Sequence, residues 1–536
     1  MLFTKSPLLK SSVSALALAS LLIVGGCNRG DKGQGALKSA EISALNLDKA
    51  DSKVFSKHFE LNDCAIEEME SLGALAGLGL GESGDSGVTY AAREITGTKI
   101  TYSDLTVIDE NSGAEVSSFT AERATFYCAR MQDEGPTFDR LDLKNAKIEG
   151  EDATFTFETF NVSGPSPEAA ASFVEGMIDP ISANETAGVS FDGLSLTGAN
   201  MKGDGFEAQL KALAWGYERE GEAKGIADLM VDKLNMSFTE PDTEETTTLK
   251  FDGMSARNMV LAGFDKFNNT SPDVISNIFD GINIHQKPYD EFLVGKLTVD
   301  SAYATVDFQG IEAKATERGD IVTIKQNIKP LKITLNPKMK EIPEMGEGYE
   351  YLETLGFETM SFSGSSVSEM DKNKDSIGVS NGLFVMDDAF RLNFEYSANG
   401  LNQMVDNLKS MSDRELNKNP MKVYESLKLQ SLRLTLEDNS ITERGLRLAS
   451  KMTGQSESNL KGMLGIAALG ASLAAENDLQ AEVMSETASA FADFVSKGGT
   501  FTLEINPPKP FPLASLINGG ENVDPDDLGF SASQEN

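Results

Sequence analysis

The run ATFTFETFNV, residues 153–162, decides the fold class. Apolar and polar side chains alternate along it. A strand sends successive side chains to opposite faces, so alternation at period two marks a half-buried antiparallel strand. The same texture recurs at 296–308 (KLTVDSAYATVDF), 321–335 (IVTIKQNIKPLKITL) and 427–436 (LKLQSLRLTL). Helices are fewer and fall between groups of strands.

Internal repeats extend this reading. One octet occurs as FETFNVSG (157–164), FDGLSLTG (191–198), FDGMSARN (251–258) and FETMSFSG (357–364). A catalytic centre is normally needed once, so a motif present in several copies points to a structural role. A longer repeat matches SPEAAASFVEGM (166–177) to SPDVISNIFDGI (271–282). Each copy opens with Ser-Pro, which suits a helix cap followed by the first helical residue. An acid then sits in the first turn, where the helix dipole favours it, and a late glycine can end the helix. One hairpin cannot bury its own apolar face, whereas stacked units share a core.

Composition narrows the function classes. The chain has 536 residues, 40% of them hydrophobic, with 47 basic and 83 acidic residues and a formal charge of −36. Nucleic-acid binding is driven by Lys and Arg displacing counterions from phosphate, so no nucleic-acid partner is expected. Anionic head groups are repelled as well, and any membrane attachment must be hydrophobic or covalent. Only two histidines are present, His58 and His285. Most histidine-dependent mechanisms are short of parts.

The N-terminus, MLFTKSPLLKSSVSALALASLLIVGGCNRG, carries Lys5 and Lys10, then an apolar stretch from Val13 to Val24. That stretch is shorter than the about 20 residues of a spanning helix. Val24-Gly25-Gly26-Cys27 follows. These residues resemble the lipobox of bacterial lipoproteins: aliphatic, small, small, cysteine. The resemblance covers residues 1–27. It implies cleavage before Cys27, diacylglycerol on its sulfur and an acyl group on its amine. One chain anchors marginally, while two or three make attachment durable. Asn28 is not the aspartate associated with inner-membrane retention, which points to the outer membrane of a Gram-negative cell. Cys64 and Cys128 remain, an even pair in an exported chain, and a disulfide between them is expected. It closes a loop of about 65 residues, stabilising by roughly 4 kcal/mol on a chain-entropy model.

The expected divisions follow. A signal peptide covers 1–26 and a flexible tether 27–40. A β-rich region with the disulfide covers 41–165, and a repeated strand–helix–strand region 166–395. A helix-containing α+β region covers 396–520, and a disordered acidic tail 521–536. The Gly-rich stretch 73–87 reads as a loop or helix end. Helices are expected over 398–411, 442–454, 458–475 and 478–495, then a strand over 500–505. LKGMLGIAALGASLAA, 460–475, is apolar nearly all round. It reads as a buried helix, and at about 16 residues it is too short to span a bilayer.

Motifs for chemistry fail on context. Ser380 sits in Gly378-Val-Ser-Asn-Gly382, a GxSxG match, but no histidine follows it to complete a triad. Gly84-Asp-Ser-Gly87 matches a protease motif, with only His58 upstream and in an unrelated context. Asp371, Asn373 and Asp375 give DxNxD, the opening of a calcium loop, but Ser376 and Gly382 stand where glycine and a carboxylate are needed. They make a weak Ca²⁺ candidate, with a polar turn as the plain alternative.

The expected fold is mainly β with interspersed helices, of the α+β class: elongated antiparallel sheets built from repeated strand–helix–strand units. In texture it resembles the β-groove proteins that carry lipid between Gram-negative membranes. The expected function is a lipid-anchored, non-catalytic cell-envelope scaffold or hydrophobic-ligand-holding protein. No cofactor is expected beyond lipid on Cys27. Partners would be the membrane, and a lipid or envelope protein. The rival readings are a surface-exposed adhesion or assembly partner, and an envelope enzyme using carboxylates or Ca²⁺.

Overall fold

The computed structural model describes residues 55–535 apart from 62, 63, 65, 82–86, 109–117, 134, 151, 152, 179–190, 220–223, 242, 263–286, 342, 412–417, 419, 471–477 and 518–522. The signal peptide, Cys27, the tether and the second Ser-Pro repeat lie outside the described residues. What is described is mostly antiparallel strand with helices between, as the alternation predicts. The chain divides into two units. Unit A takes in Lys38–Lys314 and Ile328–Ser363; unit B takes in Ala315–Asn327 and Gly364–Asn536.

Unit A is a meander. Its strands are β1 (Lys99–Ile108), β2 (Ser118–Tyr127), β3 (Arg140–Glu149), β4 (Ala153–Ser163), β5 (Gly193–Gly203), β6 (Phe206–Arg219), β7 (Lys224–Thr239) and β8 (Thr246–Ala262). Each pairs antiparallel with the next. β8 then pairs with both β9 (Glu291–Val294) and β10 (Leu297–Asp300). β10 pairs with β11 (Ala304–Phe308), β9 with β12 (Ile311–Arg318), and β11 with the end of β13 (Ile321–Leu335).

Strict alternation breaks at one shared level in every strand of the meander. Around that level the apolar residues are Phe155, Phe157, Phe160 and Val162 in β4, Phe119, Ala121, Ala124 and Phe126 in β2, and Leu249, Phe251, Met254 and Ala256 in β8. The spacing is i, i+2, i+5, i+7, with two polar or small residues in the gap. The backbone slips phase with left-handed residues on alternate strands: Asp104 (φ 51°), Asn145 (47°), Gly198 (60°) and Lys233 (50°). Three of the four are not glycine, a conformation that L side chains seldom adopt. All strands slip at one level, so the register carries unbroken rows across the sheet. Leu143 faces Phe160, Phe160 faces Leu196, Leu196 faces Leu213, Leu213 faces Val231, and Val231 faces Met254. Beyond the slip Leu210 faces Leu234, Leu234 faces Phe251, and Phe251 faces Leu297.

The first two octets lie antiparallel in this ladder, Ser163 facing Gly193 and Thr159 facing Thr197. Each one's acid covers the other's last glycine. A Cβ on Gly164 would lie 2.1 Å from Asp192 Oδ2, and one on Gly198 2.4 Å from Glu158 Cγ. The octet here is a pairing device, which fits its expected structural role.

At β1–β4 the rows are sealed. Tyr102, Phe119, Phe126, Leu141 and Val162 are buried with Ala74 and Leu75 of α1 (Glu68–Gly77) and Ala170 and Val174 of α2 (Pro167–Ile178). Helix α2 starts as the first Ser-Pro repeat predicts: Ser166 Oγ accepts a hydrogen bond from the Ala169 N–H at 3.2 Å. The Gly-rich stretch, expected as a loop or helix end, begins with the end of α1, which runs through Gly77. Unit A also holds α3 (Pro343–Leu355).

Unit B continues from β14 (Thr359–Asp371) with β15 (Ser376–Met386), β16 (Phe390–Asn399), β17 (Lys428–Asp438), β18 (Thr500–Ile505) and β19 (Phe530–Glu535). β15 to β19 pair in that order. Helices α4 (Leu401–Ser410), α5 (Ile441–Thr453), α6 (Glu457–Gly470) and α7 (Asp478–Lys497) accompany them. The disordered tail expected over 521–536 is corrected. Phe530–Glu535 is a strand on β18, and Leu528 and Phe530 join a core cluster with Leu479 and Phe511. The boundary expected at 395/396 falls inside β16. The helix expected from Ala398 starts at Leu401, because Ala398 and Asn399 pair with Leu429 and Lys428. Helix α6 is not buried all round. Leu460 and Leu464 pack beside Leu446 and Phe494, while Met463 and Ile466 are 52% and 72% exposed. No described helix is long and apolar enough to cross a membrane.

Candidate functional site

The cysteines meet. Cys64 and Cys128 form a disulfide with 6.1 Å between their Cα atoms. Cys128 directly follows β2 in a left-handed conformation, φ 52°. Its N–H donates to the Thr98 carbonyl, and the Thr98 hydroxyl lies 3.5 Å from its sulfur.

The calcium candidates do not converge. They lie at the turn between β14 and β15, and each side chain has a partner of its own. Asp371 Oδ1 accepts from the N–H groups of Asn373 and Lys374, both at 3.1 Å. Lys374 Nζ lies 2.7 Å from Asp371 Oδ2 and holds that carboxyl below its ordinary range, against slight burial. Asn373 donates to Asp320 Oδ2 at 2.6 Å. Asp375 Oδ1 accepts from the Asn402 N–H at 2.8 Å, capping α4. The spacing thus serves turn geometry, which Asp and Asn favour because their oxygens bond nearby backbone. Replacing Asp375 with alanine is expected to lower the stability of unit B by about 1 kcal/mol, the usual value of a helix cap. Millimolar Ca²⁺ is expected to leave its thermal midpoint where it was. Calorimetry with and without the ion checks both.

Ser380 lies inside β15, not at a strand-to-helix elbow, with its Oγ 3.5 Å from the Val367 carbonyl. His285 and Gly84–Ser86 lie outside the described residues.

Two features escaped sequence reasoning. The first is the apolar face of unit A beyond β4. Leu194, Leu196, Leu210, Leu213 and Trp215 remain partly exposed, as do Leu229, Val231, Leu234, Phe251 and Met254. The phase slip leaves two residues on each strand between the two central rows, with Leu196, Leu213, Val231 and Met254 on one side and Leu210, Leu234 and Phe251 on the other. The signal was present as the repeated i, i+2, i+5, i+7 spacing.

The second is a buried contact between His58 and Asp228. Phe55 and His58 are 6% and 8% exposed, and the turn Lys57–Phe59 seats His58 against the sheet. The imidazole rests where β6 has Gly216; a Cβ there would lie 2.1 Å from the His58 ring. His58 Nε2 is 3.6 Å from Asp228 Oδ2, an ion-pair distance rather than a hydrogen bond. Asp228, 3% exposed, sits at a bulge, where the β7–β8 register shifts between Ala227 and Leu229. A bulge re-aims a side chain. Here it turns the carboxylate so that Oδ1 accepts from the Asn258 N–H at 2.9 Å. Lys57 Nζ lies 3.8 Å from Oδ2 and 3.1 Å from Glu218. Burial opposes ionisation of Asp228, but His58, the Asn258 N–H and Lys57 outweigh it and hold the carboxyl below its ordinary range. Ser163 Oγ donates to the His58 carbonyl, and Arg140 donates to that of Phe59 at 3.1 Å. His58 Nε2 is buried without a hydrogen-bond partner among the described residues, while the bonds from Ser163 and Arg140 to the backbone of the turn make it a clamp on the N-terminal segment.

Comparison with known proteins adds little. A family model described as "Uncharacterized protein" matches residues 383–535, which lie in unit B. No curated protein matches. Among solved structures, the WD40 domain of SCAP from fission yeast is similar at 9% identity, over 56% of this chain and 72% of that one. Its TM-score is 0.12, too low to carry an argument.

Proposed function

We propose that the chain is a lipid-anchored, non-catalytic protein of the cell envelope whose apolar sheet face holds a hydrophobic ligand. The observation that carries this is the pair of apolar rows in unit A, the banks, which stay partly exposed across β5 to β8; the strip between them would be the trough that takes the ligand. Contiguous exposed apolar surface on a folded protein marks a place for a partner or ligand. The occupant's chemistry follows from what the rows offer. β5 to β8 are paired on both sides, so an incoming peptide strand finds no edge to extend. The bank residues carry no polar side chain to satisfy a peptide backbone, and leaving such groups unsatisfied is costly. An acyl chain has no such groups along its length.

The lipobox around Cys27 supports attachment to the outer membrane through covalent lipid. The finer architecture belongs to the same reading: repeated strand–helix–strand units, of which α2 and its flanking strands would be one.

One preparation tests both parts. The intact mass of the mature protein from its membrane is expected to include diacylglycerol and an acyl group on Cys27. Its organic extract is expected to contain non-covalent acyl lipid at close to one molecule per chain. An extract without lipid would remove the ligand-holding role and leave the anchor standing.

A further inference from the structure

Unit A carries a polar hollow on the other face of its sheet. Gln209 and Asn235 neighbour Leu210 and Leu234 in sequence, so their side chains leave by the face opposite the apolar rows. Asn200 faces Gln209, and Gln209 faces Asn235, which sets three amides side by side across β5, β6 and β7. Beside them, at the phase slip, stand Gly198, Lys211 and Lys233. The two rows line a hollow of about 290 Å³. We propose that it binds a hydroxyl-rich anion: one sugar ring bearing a phosphate or a carboxylate.

The hollow has two unlike ends. At the β5 end, Asn200 Oδ1 is buried and has no hydrogen-bond partner among the described residues. A buried acceptor without a donor is costly, and a ligand hydroxyl supplies the donor. Glu158 lies over Gly198 at the same end, which turns an anionic group away from it. At the other end Lys233 is exposed, and the exposed Lys250 of β8 faces Asn235. Neither has an ion-pair partner among the described residues, although acids outnumber bases 83 to 47 in the chain. Lys211 differs, since Asp232 Oδ2 lies 2.5 Å from its Nζ. The uncompensated positive charge therefore sits on the β7–β8 side.

That polarity orients the ligand. An ammonium acts as a point charge and suits a phosphate or carboxylate reached from one side. The amides between the two ends offer donors and acceptors together, and each sugar hydroxyl needs both. Size agrees as well. Three strands by three residues span about 10 by 7 Å, the footprint of one ring with its substituents.

The test is calorimetric titration of the full mature chain with glucose 6-phosphate, glucuronate, glucose and inorganic phosphate. Glucose 6-phosphate or glucuronate is expected to bind at one per chain, at least tenfold tighter than glucose or phosphate. Whichever of the two binds tighter names the anion. Lys233→Asn is expected to weaken that binding about tenfold, the usual worth of a charge-assisted hydrogen bond. Asparagine tolerates the left-handed φ of 50° at this position, so the strand keeps its fold. Asn200→Ala is expected to weaken it likewise. Anionic sugars that bind no tighter than phosphate or glucose overturn the proposal. So does an unchanged affinity in either variant with native circular dichroism. Leu213→Asp, on the opposite face, is expected to bind the sugar as wild type does, so this site and the acyl-holding face stand or fall separately.

Discussion

Replacing His58 with alanine is expected to lower the stability of unit A by about 3 kcal/mol, the low end of the cost of orphaning a buried charge. The change removes the ring that fills the socket over Gly216 and leaves Asp228 with Lys57, 3.8 Å away, and the Asn258 N–H. The carboxylate is 3% exposed and cannot recover water without opening the sheet. Asp228→Asn is expected to cost less. The amide oxygen can still accept from the Asn258 N–H, and the buried carboxylate is gone. The double variant should therefore be more stable than His58→Ala alone. Chemical denaturation of the three variants measures this; equal losses in His58→Ala and the double variant would contradict the pairing. The pH dependence has a fixed sign. The folded pKa of Asp228 is lowered, so its contribution is complete above the ordinary carboxylate range and is lost as pH falls through the lowered value. The gap between wild type and Asp228→Asn should close there.

Leu213→Asp and Leu234→Asp are each expected to reduce retained acyl lipid at least tenfold while leaving the sheet folded. The two positions stand on opposite banks of the trough and are already partly exposed. A carboxylate there can reach water, so the cost to folding is modest. An acyl chain laid across it would have to strip that water away, and desolvating an unpaired carboxylate far exceeds the gain from a few buried methylenes. Gln209→Asp is the control. It changes charge on β6 at an exposed residue next to Leu210 and should leave retention unchanged. Lipid per chain, weighed by mass spectrometry on protein with native circular dichroism, decides the comparison.

The β architecture was legible because alternation is local. Ala153–Ser163 shows it within one strand, and pairing followed. The slip was not, since a period-two template reads Phe157–Phe160 as a flaw in one strand. Only register shows the same flaw in its neighbours at the same level. Strand β19 was hidden by composition. Phe530 and Ala532 are its apolar anchors, diluted by Ser, Gln and Glu, and their partners lie in β18 and α7. The Cys64–Cys128 bond was accessible by counting. The His58–Asp228 pair was not, because residues so far apart are joined by a bulge and a glycine socket, and neither leaves a spacing to find. Asp371, Asn373 and Asp375 show the converse. A metal loop and a tight turn want the same residue types, and here Asp371 bonds the turn's own backbone, Asn373 bonds Asp320 and Asp375 caps α4.

The trough itself is most directly tested by photolabelling with a diazirine-bearing fatty acid, followed by peptide mapping. Crosslinks are predicted on peptides carrying Leu196, Leu213, Val231, Leu234 and Met254, competed away by unlabelled palmitate. Labelling confined to the exposed Met463 and Ile466 of α6, or none that palmitate displaces, would contradict a ligand seated across the strands of unit A.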